Sequence, residues 1–179
     1  EIIFSYSDNP FPVTILRPTA LFGKHHKGSI YELTKRVKEN RFLIFGSGEN
    51  FINFYYIDEF TNVLKATCLN KDMFGEIYIA SSDPLTLNRL VRLISAVLKI
   101  SPSFIRLPLS VGYLVAYFFD FLSLFISQEL PLSKRRMEAM TGSKVYSNSK
   151  LKSEGLSKRS ETERGLKETV QWFLDNKML

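Results

Sequence analysis

The sequence predicts an α/β fold with a parallel sheet, on three observations. Short apolar runs without polar alternation, Val13 to Leu16 and Ile77 to Ala80, read as strands covered on both faces. Between such runs lie segments whose apolar residues recur at three and four positions, the clearest being Leu87, Leu90, Val91, Ile94, Val97 and Leu98. Strands separated by helices of that length belong to parallel architecture, because antiparallel hairpins need only short connections. A chain of 179 residues, 45% hydrophobic and 23% charged, can build one cored domain and is not of disordered composition.

Taken in order, Val13 to Leu16 is stopped by Pro18, which cannot donate to a ladder. Ser29 with Glu32 has the pattern of a capping box, and Ile30, Leu33, Thr34 and Val37 share one helical face up to about Lys38. Phe42 to Phe45 is a short strand ending on Gly46-Ser47-Gly48. Phe54 to Ile57 is an aromatic strand, after which Asp58 is placed to cap a helix with Phe60, Val63, Leu64 and Cys68 inward. Ile77 to Ala80 is the next strand, Thr86 caps the amphipathic helix, and Phe104 to Leu107 is a brief strand. Ser160 with Glu163 repeats the capping-box pattern ahead of a closing helix striped by Leu166, Val170, Phe173 and Leu174.

Composition narrows the chemistry. Cys68 is the only cysteine, which excludes an internal disulfide and cysteine-built zinc sites and points to a reducing, cytoplasmic location. The formal charge of +6 is spread in small groups, Lys134 to Arg136 and Lys150 to Arg159, so it reads as solvated faces with no nucleic-acid partner. His25 and His26, adjacent and without a carboxylate cluster, do not make a metal site. Residues 1 to 10 carry Glu1 and Asp8 and lack the basic start and apolar run of a signal peptide; a first residue other than methionine reads as a piece of something longer.

Four ordered stretches resemble the extended short-chain dehydrogenase/reductases, the NAD-dependent epimerase/dehydratase family. "VTILRPTALFG" resembles the family's L-R-P-x-x-V-Y-G strand and turn, and "FGSGENFINFYYIDEF" its glycine turn, aromatic strand and V-D-D helix start. "GEIYIASSDPLTLNRLVRLI" resembles the G-x-x-Y-N-I strand and T-x-x-E-L helix, while "YSNSKLKSEGL" with "ERGLKETVQWF" resembles the ending of the hydroxysteroid and dihydroflavonol dehydrogenase branch.

The resemblance implies that a Rossmann core of roughly 150 residues precedes this chain, which is then the C-terminal part. It implies that residues 1–23 and 52–82 complete a Rossmann-like parallel sheet, and that 24–51 and 83–179 form a small mixed α/β substrate-binding lobe with a helical C-terminus. The cofactor would be NAD or NADP, held mainly by the earlier half, and a homodimer would use helices that precede this chain. By the same resemblance the backbone of Pro18, Thr19 and Ala20 lies near the nicotinamide, and Leu21, Phe22, Asn53 and Tyr56 bind a small-molecule substrate. The implied activity is that of an epimerase, dehydratase or dehydrogenase at a hydroxyl of a sugar-nucleotide or a steroid- or isoprenoid-like molecule. Alternatives are a non-catalytic binding module and a peripheral membrane module. Ala20 and Ile52 depart from the nucleotide-sugar members, many of which carry an asparagine and a phosphate-pairing arginine there, so that assignment is weakened.

The reactive groups are not found in this chain. Gly46 and Gly48 begin a G-x-G, but Phe51 stands where a third glycine would be and a strand follows instead of a helix. Hydride chemistry on an alcohol needs a tyrosine, unperturbed pKa about 10, acidified by a lysine one helical turn away. Tyr31 with Lys35 and Tyr146 with Lys150 match that spacing, but among 8 tyrosines about one match arises by accident, and both follow the L-R-P strand that the family's pair precedes. No catalytic residue is therefore expected here, and the isolated chain is expected to be inactive.

Leu107 to Ile126 is apolar nearly throughout, interrupted by Pro108 and Asp120. It reads as a packed helix over a greasy pocket, an interfacial membrane helix or a span. Lys134, Arg135 and Arg136 follow, which suits an anionic lipid surface as well as an exposed helix start.

Overall fold

A computed structural model describes residues 13–101, 105–123, 133–156 and 159–179. Three of its four strand pairings are parallel. Strand β1 (Ile15–Pro18) pairs with β6 (Ile77–Ala80), β2 (Ala20–Phe22) with β5 (Phe54–Tyr56), and β3 (Leu43–Phe45) with β8 (Ile105–Leu107); β4 (Phe51–Ile52) and β7 (Leu85–Thr86) pair antiparallel. Seven α-helices accompany them among the described residues: α1 (Ser29–Lys38), α2 (Ile57–Leu69), α3 (Leu87–Leu98), α4 (Leu109–Leu122), α5 (Lys134–Thr141), α6 (Ser149–Ser153) and α7 (Arg159–Asp175).

Strand β5 shows why the apolar runs lack alternation. Tyr56 joins a core with Phe22, Leu90, Ile94, Leu166 and Phe173, while its neighbour Tyr55 joins a second core with Val63, Met73 and Tyr78. Successive side chains leave a strand on opposite faces, so a strand between two cores must be apolar at every position. Helix α7 lies close over β5 because Gly165 faces the Tyr56 ring; a Cβ there would stand 2.3 Å from Tyr56 Cγ.

Most elements lie where the patterns put them, but two caps and one helix face do not. Thr86 caps α3, its Oγ1 accepting the Arg89 N–H at 3.2 Å. Ser29 is instead the first residue of α1, with Gly28 as N-cap and no side-chain capping bond. Tyr56 is the N-cap of α2, so Asp58 lies inside the first turn, where its charge favours the helix dipole without capping. The buried face of α2 is Glu59, Val63 and Thr67, with Leu64 and Cys68 exposed, a turn of one residue or roughly 100° from the apolar reading. Leu166, Val170 and Phe173 are buried in α7 as the stripe requires. Glu1, Asp8, Phe104, Leu124 to Ile126, Ser157, Lys158 and the Ser160 side chain fall outside the described residues.

Helix α4 is not packed on all sides. Only Gly112 and Ala116 are buried, whereas Leu114 is 72% exposed and Phe118 and Phe121 are each 58% exposed. It packs on α5, with Gly112 against Met137 and Phe45. Among the described residues no helix is long and apolar enough to cross a membrane.

Candidate functional site

The run from Ile15 to Phe22 changes partners at Thr19, whose N–H makes a bond of 3.0 Å to the Ala80 carbonyl before the chain passes to β5. A cleft of about 730 Å³ opens where the neighbours diverge. It is lined by Arg17, Pro18, Thr19 and Ala20, by Ile52, Asn53 and Phe54, by Ile79, and by Ala139, Lys144 and Tyr146. Ligands in open α/β folds settle at such points, beyond strand ends where the sheet order changes.

Asn53 ties the cleft together. It is buried, and its Nδ2 donates to Ser81 Oγ at 2.9 Å and to the Ser82 carbonyl at 2.8 Å. Its Oδ1 accepts the Tyr146 backbone N–H at 3.2 Å. Both amide protons are thus engaged, and the residue fastens the 143–148 segment to the ends of β5 and β6. Asn148 makes a parallel link, donating to the Ser81 carbonyl at 3.0 Å and to Asp83 Oδ1 at 3.3 Å.

Of the residues singled out from sequence, Pro18, Thr19, Ala20 and Asn53 line this cleft, and Leu21, Phe22 and Tyr56 do not. Period-two alternation sends Phe22 and Tyr56 into one core, their rings 5.5 Å apart, and Leu21 against the other. The Tyr56 hydroxyl donates to Glu168 Oε2 at 3.0 Å, and burial, aided by Asp58 and Glu168, raises its pKa. Burial and the neighbouring Glu59 raise that of Tyr55 likewise. Phenols held protonated in this way are structural and make poor bases.

In both Tyr-x-x-x-Lys matches a member is engaged in a structural contact. The Tyr31 hydroxyl donates to the Met178 carbonyl at 2.8 Å. Tyr146 lies in an irregular segment ahead of α6, and Lys150 is ion-paired with Glu76 and stacked over the Tyr78 ring at 4.6 Å. The His25 ring packs on Trp172, centroids 4.3 Å apart.

A second depression of about 290 Å³ adjoins the cleft. Leu33, Phe42, Leu43, Phe45, Phe51 and Met140 give it apolar walls, and it shares Ile52, Phe54, Ala139 and Lys144 with the cleft.

No family model matches the chain. A curated relative from Escherichia coli O157:H7, N-acetyl-alpha-D-glucosaminyl-diphospho-ditrans,octacis-undecaprenol 4-epimerase, is 27% identical over 161 residues, 89% of this chain and 49% of that protein. The chain spans about half the length of the curated relative it matches. UDP-glucose 4-epimerase of Thermotoga maritima, solved with UDP-glucose, aligns with TM-score 0.62 at 19% identity over 98% of this chain and 50% of its own. UDP-glucuronic acid 4-epimerase of Bacillus cereus, solved with NAD, aligns with TM-score 0.57 at 16% identity over 98% and 49%. The chain folds as the C-terminal portion of an extended short-chain dehydrogenase/reductase.

In this chain the L-R-P strand lines the cleft. The far wall, Ala139, Lys144 and Tyr146, was not singled out as a site from sequence. It comes from the end of α5 and the irregular segment beyond, and an irregular segment carries no periodicity to read.

Proposed function

We propose that this chain is the substrate-binding portion of an NAD(P)-dependent epimerase acting at a hydroxyl of a sugar carried on a diphosphate. The observation that carries the reading is the cleft at the divergence of β1 and β2, floored by Arg17 to Ala20. The cleft fits a nicotinamide ring in one respect: Pro18, Thr19 and Ala20, at the end of a parallel strand, line its open space. A dinucleotide bound by the rest of the protein would supply reversible hydride transfer. Pro18, Thr19 and Ala20 would hold its nicotinamide end, and Arg17 would supply positive charge on the same side. The acid-base pair would come from outside this chain, since Tyr31 and Lys150 are engaged in structural contacts.

The division in which 1–23 and 52–82 complete the sheet and 24–51 with 83–179 form the substrate lobe belongs to the same proposal. So does contact with a membrane surface through the exposed face of α4, supported by Leu114, Phe118 and Phe121 and by Lys134, whose Nζ lies 5.8 Å from the Tyr117 ring centroid.

The test uses the full-length protein loaded with NAD and N-acetylglucosamine carried on UDP or on a prenyl diphosphate, with the 4-epimer followed by NMR. Epimer forms, and Ala20→Phe, which fills the cleft floor, lowers kcat/KM at least about tenfold. Absence of epimer with dinucleotide bound overturns the reading.

A further inference from the structure

The cleft and the adjoining apolar groove meet at Lys144. Lys144 lines both, together with Ile52, Phe54 and Ala139, and among the described residues neither Lys144 nor the cleft's Arg17 is ion-paired. The groove offers little to a nucleoside base. Asn50 Nδ2 donates to the Met140 carbonyl at 3.1 Å and Thr141 Oγ1 to the Met137 carbonyl at 2.8 Å, so two of its few polar side chains have donors already engaged with backbone. Its rim is apolar too, with Leu43, Phe51 and Met140 partly exposed. Scattered apolar side chains on a surface need no explanation, but here they border one continuous apolar depression.

A depression with apolar walls, an apolar rim and Lys144, not ion-paired among the described residues, at its junction with the cleft matches a ligand with an apolar tail and an anionic junction. We propose that the groove holds the first isoprene units of a prenyl chain and that Lys144 holds the diphosphate joining that chain to the sugar in the cleft. This rests on the epimerase reading and adds the substrate's carrier. Ile52 fits the same picture: it lines the junction with an apolar side chain, leaving the diphosphate to Lys144. The groove's outer wall is α5, and α4, packed on α5, presents the exposed Leu114, Phe118 and Phe121, so a chain leaving the rim emerges beside an apolar surface.

The experiment is calorimetric titration of the full-length protein with farnesyl diphosphate, and separately with UDP. Farnesyl diphosphate binds, and both Lys144→Ala and Met140→Asp weaken it about tenfold or more, while Lys144→Arg stays within about threefold of the parent. Both positions are exposed, and retained NADH binding verifies that the variants are folded. The inference is overturned if UDP binds as tightly as farnesyl diphosphate and Met140→Asp weakens both equally, if farnesyl diphosphate binding ignores both substitutions, or if farnesyl diphosphate fails to bind the folded protein. Where UDP binds, epimerisation of a UDP-linked sugar would still stand, whereas loss of all epimerisation with farnesyl diphosphate binding intact would sink the epimerase reading alone.

Discussion

The Tyr146 backbone N–H donates to Asn53 Oδ1 at 3.2 Å, across a sequence separation of 93 residues. This bond holds a cleft wall of irregular structure against a sheet end, and the rigidity of the site depends on it. Replacing Asn53 with alanine strips partners from Ser81, Ser82 and Tyr146 together and is expected to cost about 2–3 kcal/mol of stability. Denaturant titration measures that loss. Hydrogen exchange at Tyr146 should accelerate more than at Ile94 in the core, and equal protection in both proteins would contradict the clamp.

Gly165 sets two effects against each other. Alanine in a helix interior is ordinarily favoured over glycine by about 1 kcal/mol. Here its Cβ would meet the Tyr56 ring at 2.3 Å, and overpacking of that kind costs about 1–3 kcal/mol. Clash is expected to win, so Gly165→Ala lowers the thermal midpoint, and pairing it with Tyr56→Leu recovers part of the loss.

Tyr55 and Tyr56 give stability an alkaline limit. Their folded pKa values lie above the unfolded value, so the unfolded chain releases these protons first as pH rises. Their contribution is complete below about pH 10 and declines above it, by up to about 1.4 kcal/mol per pH unit for each tyrosine. Denaturation series from neutral pH to beyond 11 should show this decline, and Tyr56→Phe should reduce its slope. A slope unchanged by that substitution would contradict the assignment.

Phe118 and Phe121 carry the prediction for α4. Sedimentation of the full-length protein with anionic phosphatidylglycerol vesicles should be abolished by Phe118→Glu with Phe121→Glu and weakened by raised salt, since Lys134 to Arg136 contribute charge. Binding that survives both treatments would locate membrane contact elsewhere.

The fold was legible wherever a residue's environment was set by its own periodicity. The two-sided burial of β5, the α3 stripe with its Thr86 cap and the α7 stripe could all be read locally. The α2 face could not, because Glu59 and Thr67 are buried by tertiary packing that places polar groups inside. The cleft floor was legible through the arginine-proline strand end. Leu21, Phe22 and Tyr56 lie away from the cleft because alternation within short strands turns them into the cores. Lys144 went unread because it stands outside any repeating element, and only the fold brings it to the junction of cleft and groove.

We propose that this chain shapes the substrate side of a cleft whose dinucleotide site lies in sequence outside it. The most direct measurement is NADH binding, followed by its fluorescence, in the full-length protein and in this 179-residue chain alone, each first shown to unfold cooperatively. Saturable binding is expected for the full-length protein and none for the folded chain. Tight, saturable binding to the chain by itself would contradict the proposal.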